Sequence, residues 1–153
     1  PPFKEIFNMA TTFSSSKVAA TVAARAGIDL SASYCIYEVA TQIVINDVFQ
    51  MVKIAAGQTV LEVICSVDDL DGGSASVHAV GDGSSAGRFI SGSTDGQGGA
   101  TSRLGAGITG AAAADCLAYT YTAEDTIDIK FTTAPASTGT GTIALAVFHT
   151  GNS

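Results

Sequence analysis

The chain has 153 residues, of which 46% are hydrophobic and 14% are charged, and its formal net charge is −7 at pH 7. This length suits one domain with its own core. The acidic balance and the scatter of the seven basic residues exclude a basic patch for a nucleic-acid backbone, and the absence of Trp leaves little for a base-stacking platform. The low charge favours a surface that is covered by neighbouring subunits.

The start of the chain is predicted to lie outside the domain, with residues 1–16 as an N-terminal arm or extension and residues 17–153 as the domain. Met9 begins a stretch that reads like an ordinary start of translation, so the residues before it are interpreted as an upstream extension. The alternative is an arm that docks on a neighbouring subunit through Phe3, Ile6 and Phe7. Residues 11–16 are polar and predict a loop. Residues 17–26, KVAATVAARA, favour a strand, although their alanines would suit a helix.

Alternating apolar and polar side chains predict the strands. The organising strand lies within residues 54–70, IAAGQTVLEVICSVDDL, and has one apolar and one mixed face. The apolar face is formed by Leu61, Val63, Cys65 and Val67, and the mixed face by Val60, Glu62, Ile64 and Ser66. Further strands are predicted at residues 34–44, 48–55, 74–80, 87–90, 115–121, 126–132 and 142–150. Residues 45–47 predict a turn between the first two of these, the alternative being one continuous strand with a kink. About eight strands at short intervals predict an all-β fold, a single antiparallel sandwich or barrel.

Side-chain directions follow from the same alternation. Residues 48–55 are expected to form a hairpin with the organising strand, with one side shared by Phe49, Met51 and Lys53. Residues 126–132 are expected to point Ile127, Ile129 and Phe131 inward and Asp128 outward, and residues 115–121 to share one face among Leu117, Tyr119 and Tyr121. Residues 91–114 contain seven glycines and predict a structureless loop, a candidate for the surface that changes on assembly.

The sequence contains no complete set of residues for a catalytic site. His78 and His149 lack a GxSxG elbow, and a cysteine nucleophile beside either of them is disfavoured because each cysteine lies in an apolar run. The cysteines, which are interpreted as free packing residues of a reducing compartment, are Cys35, Cys65 and Cys116. Glu62 and Glu124 are too isolated to form an acid/base pair. We therefore predict no catalytic residue and no enzymatic activity.

Metal and cofactor sites are not predicted either. Residues 81–87, GDGSSAG, look like a phosphate loop but lack its Lys and helix, so a β-turn is favoured. Acidic side chains that could group at one end of the sandwich and hold calcium are Asp68, Asp69, Asp71 and Asp82. No EF-hand spacing and no CxxC pair is present, so these acids are interpreted as solubilising strand ends. Asp125 is predicted to hydrogen-bond the backbone that follows it.

Four runs in order carry a family resemblance: IAAGQTVLEV at residues 54–63, SVHAVGDGSSAGRFI at 76–90, AYTYTAEDTIDI at 118–129 and TGTGTIAL at 138–145. Together they resemble the capsid decoration, or cement, proteins of tailed bacteriophages, over most of residues 17–150. The resemblance implies a β-sandwich, often jelly-roll-like, that assembles as a symmetric oligomer, commonly a trimer, on capsid symmetry axes. Its motifs are fold signatures and carry no catalytic residue.

The resulting hypothesis is a structural virion protein that binds the outer surface of a bacteriophage capsid and stabilises it. Its expected partners are itself, as a homotrimer, and the major capsid protein, with no nucleic acid and no membrane. Assembly would take place in the bacterial host cytoplasm. Contacts are expected from the arm up to Lys17, from residues 91–114 and from residues 133–141. The alternatives are a tail, neck or fibre-associated virion component, and a sandwich that binds host glycans, against which the few aromatics count.

Overall fold

A computed structural model describes residues 11–14 (backbone only), 30–70, 75–135 and 139–151. The predicted strand at residues 17–26, Asp71 and most of the predicted arm lie outside the described residues. Within them, no helix is both long enough and apolar enough to cross a membrane.

The described chain is almost entirely β-structure, as its alternating pattern predicts. The strands are β1 (Thr11–Ser14), β2 (Leu30–Val39), β3 (Val48–Ile54), β4 (Thr59–Val67), β5 (Val77–Gly81), β6 (Ile90–Ser93), β7 (Ala100–Arg103), β8 (Tyr119–Thr120), β9 (Asp125–Thr133) and β10 (Gly141–Thr150). A 3₁₀ turn at Asp95–Gln97 and a one-turn helix, α1 (Ala112–Asp115), interrupt them.

Two antiparallel sheets form the sandwich. The first has the order β1-β2-β10-β4-β7, with β8 also paired to β4, and the second has the order β3-β9-β5-β6. Apart from β1 and β8, the strands pair from the outside of the sequence inward: β2 with β10, β3 with β9, β4 with β7 and β5 with β6. This pairing is a long antiparallel hairpin rolled into two sheets, which is the jelly-roll topology. The predicted all-β sandwich is confirmed.

The core lies between the two sheets and is built from their facing side chains. In β9, Ile127, Ile129 and Phe131 are fully buried, as predicted, and they face three fully buried residues of β10, Ile143, Leu145 and Val147. Burying an aliphatic side chain of this size contributes roughly 1.5–3 kcal/mol, so this interface is a large source of stability.

Two β-bulges reverse part of the predicted faces of β4 and β3, although Val63, Cys65 and Val67 are buried together as predicted and Phe49 and Met51 both pack against the core. In β4 the pairing with β10 skips Leu61, so Val60 is fully buried with Val63, and Leu61 is 43% exposed. In β3 the pairing with β9 skips Met51, so Val52 is buried and Lys53 is exposed. An extra residue in one strand reverses the side-chain phase beyond it, which alternation alone cannot reveal.

Three predicted connections are wrong. β3 and β4 do not form a hairpin, because the Gly57 turn carries the chain from the second sheet to the first. Residues 11–14 are an edge strand and not a loop, with Thr11 opposite Tyr34. Residues 91–114 are not structureless, since they contain the end of β6, the 3₁₀ turn, β7 and α1.

Several predicted strand bounds also differ. β2 ends at Val39, before the residue 44 that was predicted, and the short strand expected at residues 87–90 begins only at Ile90. The strand expected at residues 115–121 is reduced to β8, because the chain leaves α1 through Ala118 at a φ of 53°. Leu117 is consequently 59% exposed, and it does not share a buried face with Tyr121.

Candidate interaction surface

His78 and Cys65, a pair that the sequence disfavours as a catalytic site, meet inside the sandwich. The His78 Nε2 lies 3.8 Å from the Cys65 Sγ and 3.9 Å from a carboxylate oxygen of Asp95. Cys65 and His78 are both fully buried. Burial, with a smaller contribution from Asp95, raises the pKa of Cys65 to about 12, so the sulfur stays a thiol. Burial also lowers the pKa of His78.

The geometry of this cluster does not suit nucleophilic catalysis. A triad needs the nucleophile and the carboxylate on opposite nitrogens of the imidazole. Here Cys65 and Asp95 both approach Nε2, while the His78 Nδ1 has no hydrogen-bond partner among the described residues. The cluster is a buried packing arrangement of polar atoms.

His149 is also buried, at the end of β10. Its Nε2 lies 3.1 Å from the Ser33 hydroxyl, and its Nδ1 lies 3.2 Å from the Thr150 carbonyl oxygen. No described carboxylate pairs with this imidazole, so the contact joins β10 to β2 and offers no relay of charge.

Two of the acidic residues singled out as a candidate calcium site, Asp68 and Asp82, are separated. Asp68 follows the end of β4, where a carboxylate oxygen accepts a hydrogen bond from the Thr142 backbone N–H. Asp82 instead bonds the hydroxyl of Tyr121, whose backbone N–H donates to Gln58 just before β4 begins. The two acids therefore lie at opposite ends of β4. Among the described residues, no three His, Cys, Asp or Glu side chains are grouped to hold a metal ion.

Residues 81–87 form the predicted turn, and Asp82 is the residue that fixes it. The Asp82 carboxylate accepts hydrogen bonds from the backbone N–H groups of Ser84 and Ser85, from the guanidinium of Arg88 and from the Tyr121 hydroxyl. Burial raises the pKa of Asp82, but these bonds outweigh it and hold the pKa below its ordinary value. The Arg88 guanidinium also lies 3.9 Å from the Tyr119 ring centre.

The two sides of the sandwich differ in how their edges are covered. At the β6–β7 side, backbone bonds from Leu104 to Val63 and from Gly105 to Phe89 close the gap between the sheets. At the opposite side, β3 is the edge of the second sheet, and β1 covers β2 only as far as Tyr34. No described strand pairs with the outer edge of β3.

A patch of exposed apolar side chains lies on this open side. We call it the open-side patch; it consists of Tyr37, Val44, Ile45 and Val48, which are 48–60% exposed. A cavity of about 380 Å³ lies beside it, lined by residues 37, 39–43 and 47–50. Isolated exposed apolar residues are ordinary, but a contiguous group of them marks an interaction surface.

The turn that presents the open-side patch is held firmly. The Asp47 carboxylate accepts a bond from the Val44 N–H, and Asn46 takes a φ of 70°, which Asn tolerates better than most residues. Asn46 N–H donates to the Phe131 carbonyl oxygen and Phe131 N–H to that of Asp47, at 2.8 and 3.0 Å. Ile45 is thus displayed to water by a turn fastened to β9.

Sequence reasoning missed this surface because it assigned residue 44 to a strand. The Asn46–Asp47 pair, which suits a tight turn, indicated the turn at residues 45–47, but it did not indicate that the apolar residues before it stay exposed. Of the three predicted contact segments, the arm lies outside the described residues except for β1. Residues 91–114 form part of the closed side, and residues 133–141 are described except for 136–138.

Comparison with known proteins finds similarity in structure. No protein-family model matches the chain, and no curated protein sequence does. A chain in the capsid asymmetric unit of cyanophage Pam1 has a TM-score of 0.68 and 25% identity, over 80% of this chain and 85% of that one. A chain in the capsid of Ralstonia phage GP4 has a TM-score of 0.60 and 22% identity, over the same shares.

A third similar structure extends the likeness over nearly the whole chain. It is a chain in the acid-stable capsid of Helicobacter pylori bacteriophage KHP30, with a TM-score of 0.54 and 14% identity over 95% of both chains. The likenesses to GP4 and KHP30 show a common fold. The chain therefore has the fold of proteins found in bacteriophage capsids, which supports a structural role in a virion.

Proposed function

We propose that this chain is a structural virion protein that binds the outer surface of a bacteriophage capsid as a symmetric oligomer, a homotrimer, and stabilises the shell. The observation that carries the proposal is the likeness to a chain of the cyanophage Pam1 capsid across four fifths of the sequence. The order of the four sequence runs that resemble decoration proteins supports the same placement.

The physical mechanism is multivalent attachment. Each subunit contributes a modest apolar contact, but a trimer presents three contacts whose second and third members bind at a high effective concentration. A rigid sandwich is suited to this task, because little conformational entropy is lost when a preformed surface docks. The major capsid protein is the proposed partner, and the three free cysteines suit assembly in the host cytoplasm.

Capsids prepared without this chain provide the test of the cementing role. The temperature and the salt concentration at which they release DNA would be compared with those of capsids to which the purified chain is added back. We expect the added chain to raise the release temperature and to lower the salt sensitivity. Equal robustness with and without it would refute cementing, and electron microscopy showing the chain only at the tail or neck would relocate it.

The oligomeric state is tested separately by light scattering on the free protein and by occupancy on the capsid. A mass of three subunits, or three copies around each occupied symmetry axis, is expected. A monomer in solution that also occupies isolated positions on the shell would contradict the trimer while leaving the attachment intact.

A further inference from the structure

The first described strand, β1, is directed toward the open side of the sandwich. β1 pairs antiparallel with β2, with Ser14 opposite Ser31 and Thr11 opposite Tyr34. Each step back along β1 is therefore one step forward along β2, toward its last residue, Val39. The backbone at Thr11 consequently points back toward the end of the first sheet at which β2 passes into the open-side patch.

The open side offers two uncovered sheet edges with an apolar recess beside them. Residues 35–39 of β2 pair with β10 on one side, and no described strand pairs with them on the other. The outer edge of β3 is uncovered in the same way, and the Phe49 ring in β3 lies 5.0 Å from the Tyr37 ring in β2. The cavity of about 380 Å³ is lined by the end of β2 and the start of β3. Uncovered backbone groups at a sheet edge are a template for a further strand.

The sequence before β1 has a composition that suits such a recess. Residues 1–10, which we call the leading segment, read PPFKEIFNMA and lie outside the described residues. Their large apolar side chains are Phe3, Ile6, Phe7 and Met9, and aromatic and β-branched residues favour strands. Ten extended residues reach about 33 Å, whereas the uncovered part of β2 spans about 17 Å. The leading segment is therefore long enough to pass along β2 and to reach the open-side patch.

A second copy of the chain fits this side less well than the leading segment does. The four side chains of the open-side patch, at 48–60% exposure, offer roughly 400 Å², about half of the 800 Å² or so that each partner buries in a standard interface. A segment that is joined covalently to β1 needs no such area, because its tether holds it at a high effective concentration. Any separate strand must displace that segment before it can pair with the same edges.

We propose that the leading segment continues β1 along the outer edge of β2 and folds over the open-side patch of its own subunit. In the register of β1, Ile6 stands opposite Val39, on the face that packs against the core. The residues before Ile6 pass the end of β2, and Phe3 covers Ile45. The docked segment shields a sheet edge that other chains would otherwise pair with. The inference concerns the free subunit and is independent of the proposed capsid function.

A truncation and a paired substitution test the proposal on the free protein. The truncated form begins at Met9. The substituted form carries Phe3→Ser with Ile6→Ser in the full chain, and its matched control carries Lys4→Ser with Glu5→Ser, two polar residues of the same segment. Amide hydrogen exchange is measured in residues 35–39 at the N–H groups that do not bond β10, together with the amide NMR signals of the open-side patch.

We expect the truncation and the Phe3→Ser, Ile6→Ser pair each to speed exchange at these amides by about tenfold or more, because their hydrogen bonds to the leading segment are lost. Both changes should also move the NMR signals of the open-side patch. The control should keep the slow exchange and the patch signals of the unaltered chain. Equal exchange and equal patch signals in the full and truncated chains would overturn the proposal.

A peptide and a dilution series separate direct cover of the patch from other causes. The peptide PPFKEIFNMA, added at millimolar concentration to the truncated form, should return the patch signals toward those of the full chain. Signals that do not return would show that truncation acts indirectly, and the proposal would fail. Protection in the full chain should be unchanged on dilution. Protection that is lost on dilution would mean that a neighbouring copy's segment covers the patch, which contradicts docking on its own subunit.

Discussion

Replacement of Asp82 by Asn should show how much of the stability depends on the turn between β5 and β6. The Asp82 side chain is 1% exposed and the Arg88 side chain 17% exposed, so their ion pair is shielded from solvent. An Asn amide has the same shape but no charge. Whichever way it is oriented, its NH₂ group must face donors: either Arg88 and Tyr121, or Ser84 and Ser85.

The magnitude follows from the burial of that pair. Removing one partner of a buried, hydrogen-bonded ion pair costs roughly 3–5 kcal/mol. In a protein of this size each kcal/mol lowers the melting temperature by about 2–4 °C, so we expect a decrease of about 6–20 °C. Urea unfolding at pH 7 and calorimetry measure the two quantities. Asp115→Asn, at an exposed position on α1, is the control and should change stability by less than about 0.5 kcal/mol.

The pH dependence provides an independent check. The pKa of Asp82 is lower in the folded state than in the unfolded state, where it is about 3.9. Its contribution is therefore fully present above the unfolded pKa and is lost as the pH falls through the folded pKa. The stability difference between the unaltered protein and Asp82→Asn should stay constant from pH 7 to about 5 and shrink below about pH 4. A decrease of less than about 2 °C at pH 7, or a difference that persists in strong acid, would refute the reasoning.

Three further changes have defined outcomes. Gly107→Ala should lower the free energy of unfolding in urea by about 2 kcal/mol or more, because the φ of Gly107 is +70° and the new methyl group meets a backbone oxygen at 1.8 Å. Gly98→Ala, with open space around it, should lower it by less than about 1 kcal/mol. Equal losses would contradict the close approach of Gly107 to that backbone. Ile129→Ala should cost about 2–5 kcal/mol and the exposed Leu117→Ala less than about 0.5 kcal/mol, and similar values for both would mean that the core is wrongly assigned. Burial lowers the pKa of His78 in the folded state, so the free energy of unfolding should fall as the pH drops below about 6.5. His78→Gln should reduce this dependence of the unfolding free energy on pH. An unchanged pH dependence would show that another group causes it.

The sequence was most informative where a strand has no irregularity. In β9 strict alternation assigned Ile127, Ile129 and Phe131 to the core, and all three are fully buried. In β4 and β3 the same rule failed at Leu61 and Lys53, because a bulge depends on how a strand pairs with a partner far away in sequence. Glycine-rich composition likewise concealed β7, which is ordered by its pairing with β4.

The candidate surface could be predicted only in part. That residues 81–87 form a turn follows from their glycines and Asp82. Asp128 was predicted to face outward, but it is only 8% exposed, and its burial depends on where that turn folds in three dimensions. The exposed Val44 looked like a strand residue because apolar residues normally continue a strand into the core, and the turn predicted from Ile45 onward did not indicate that both side chains are exposed. Their exposure depends on two backbone hydrogen bonds, one from Asn46 N–H to the Phe131 carbonyl oxygen and one from Phe131 N–H to the Asp47 carbonyl oxygen. A local sequence pattern specifies neither of these bonds to β9.

The position of β10 has a consequence for the synthesis of the chain. β10 pairs with β2 along its whole length on one side and with β4 on the other. The first sheet therefore has no centre until residues 141–150 have emerged from the ribosome, and β2 must wait more than a hundred residues for its main partner. Pairing over such a separation is entropically slow to close, and until then the strand edges are open to other chains. Crowded synthesis would accordingly favour aggregation of the nascent protein, and chaperones that hold unfinished chains would raise its yield.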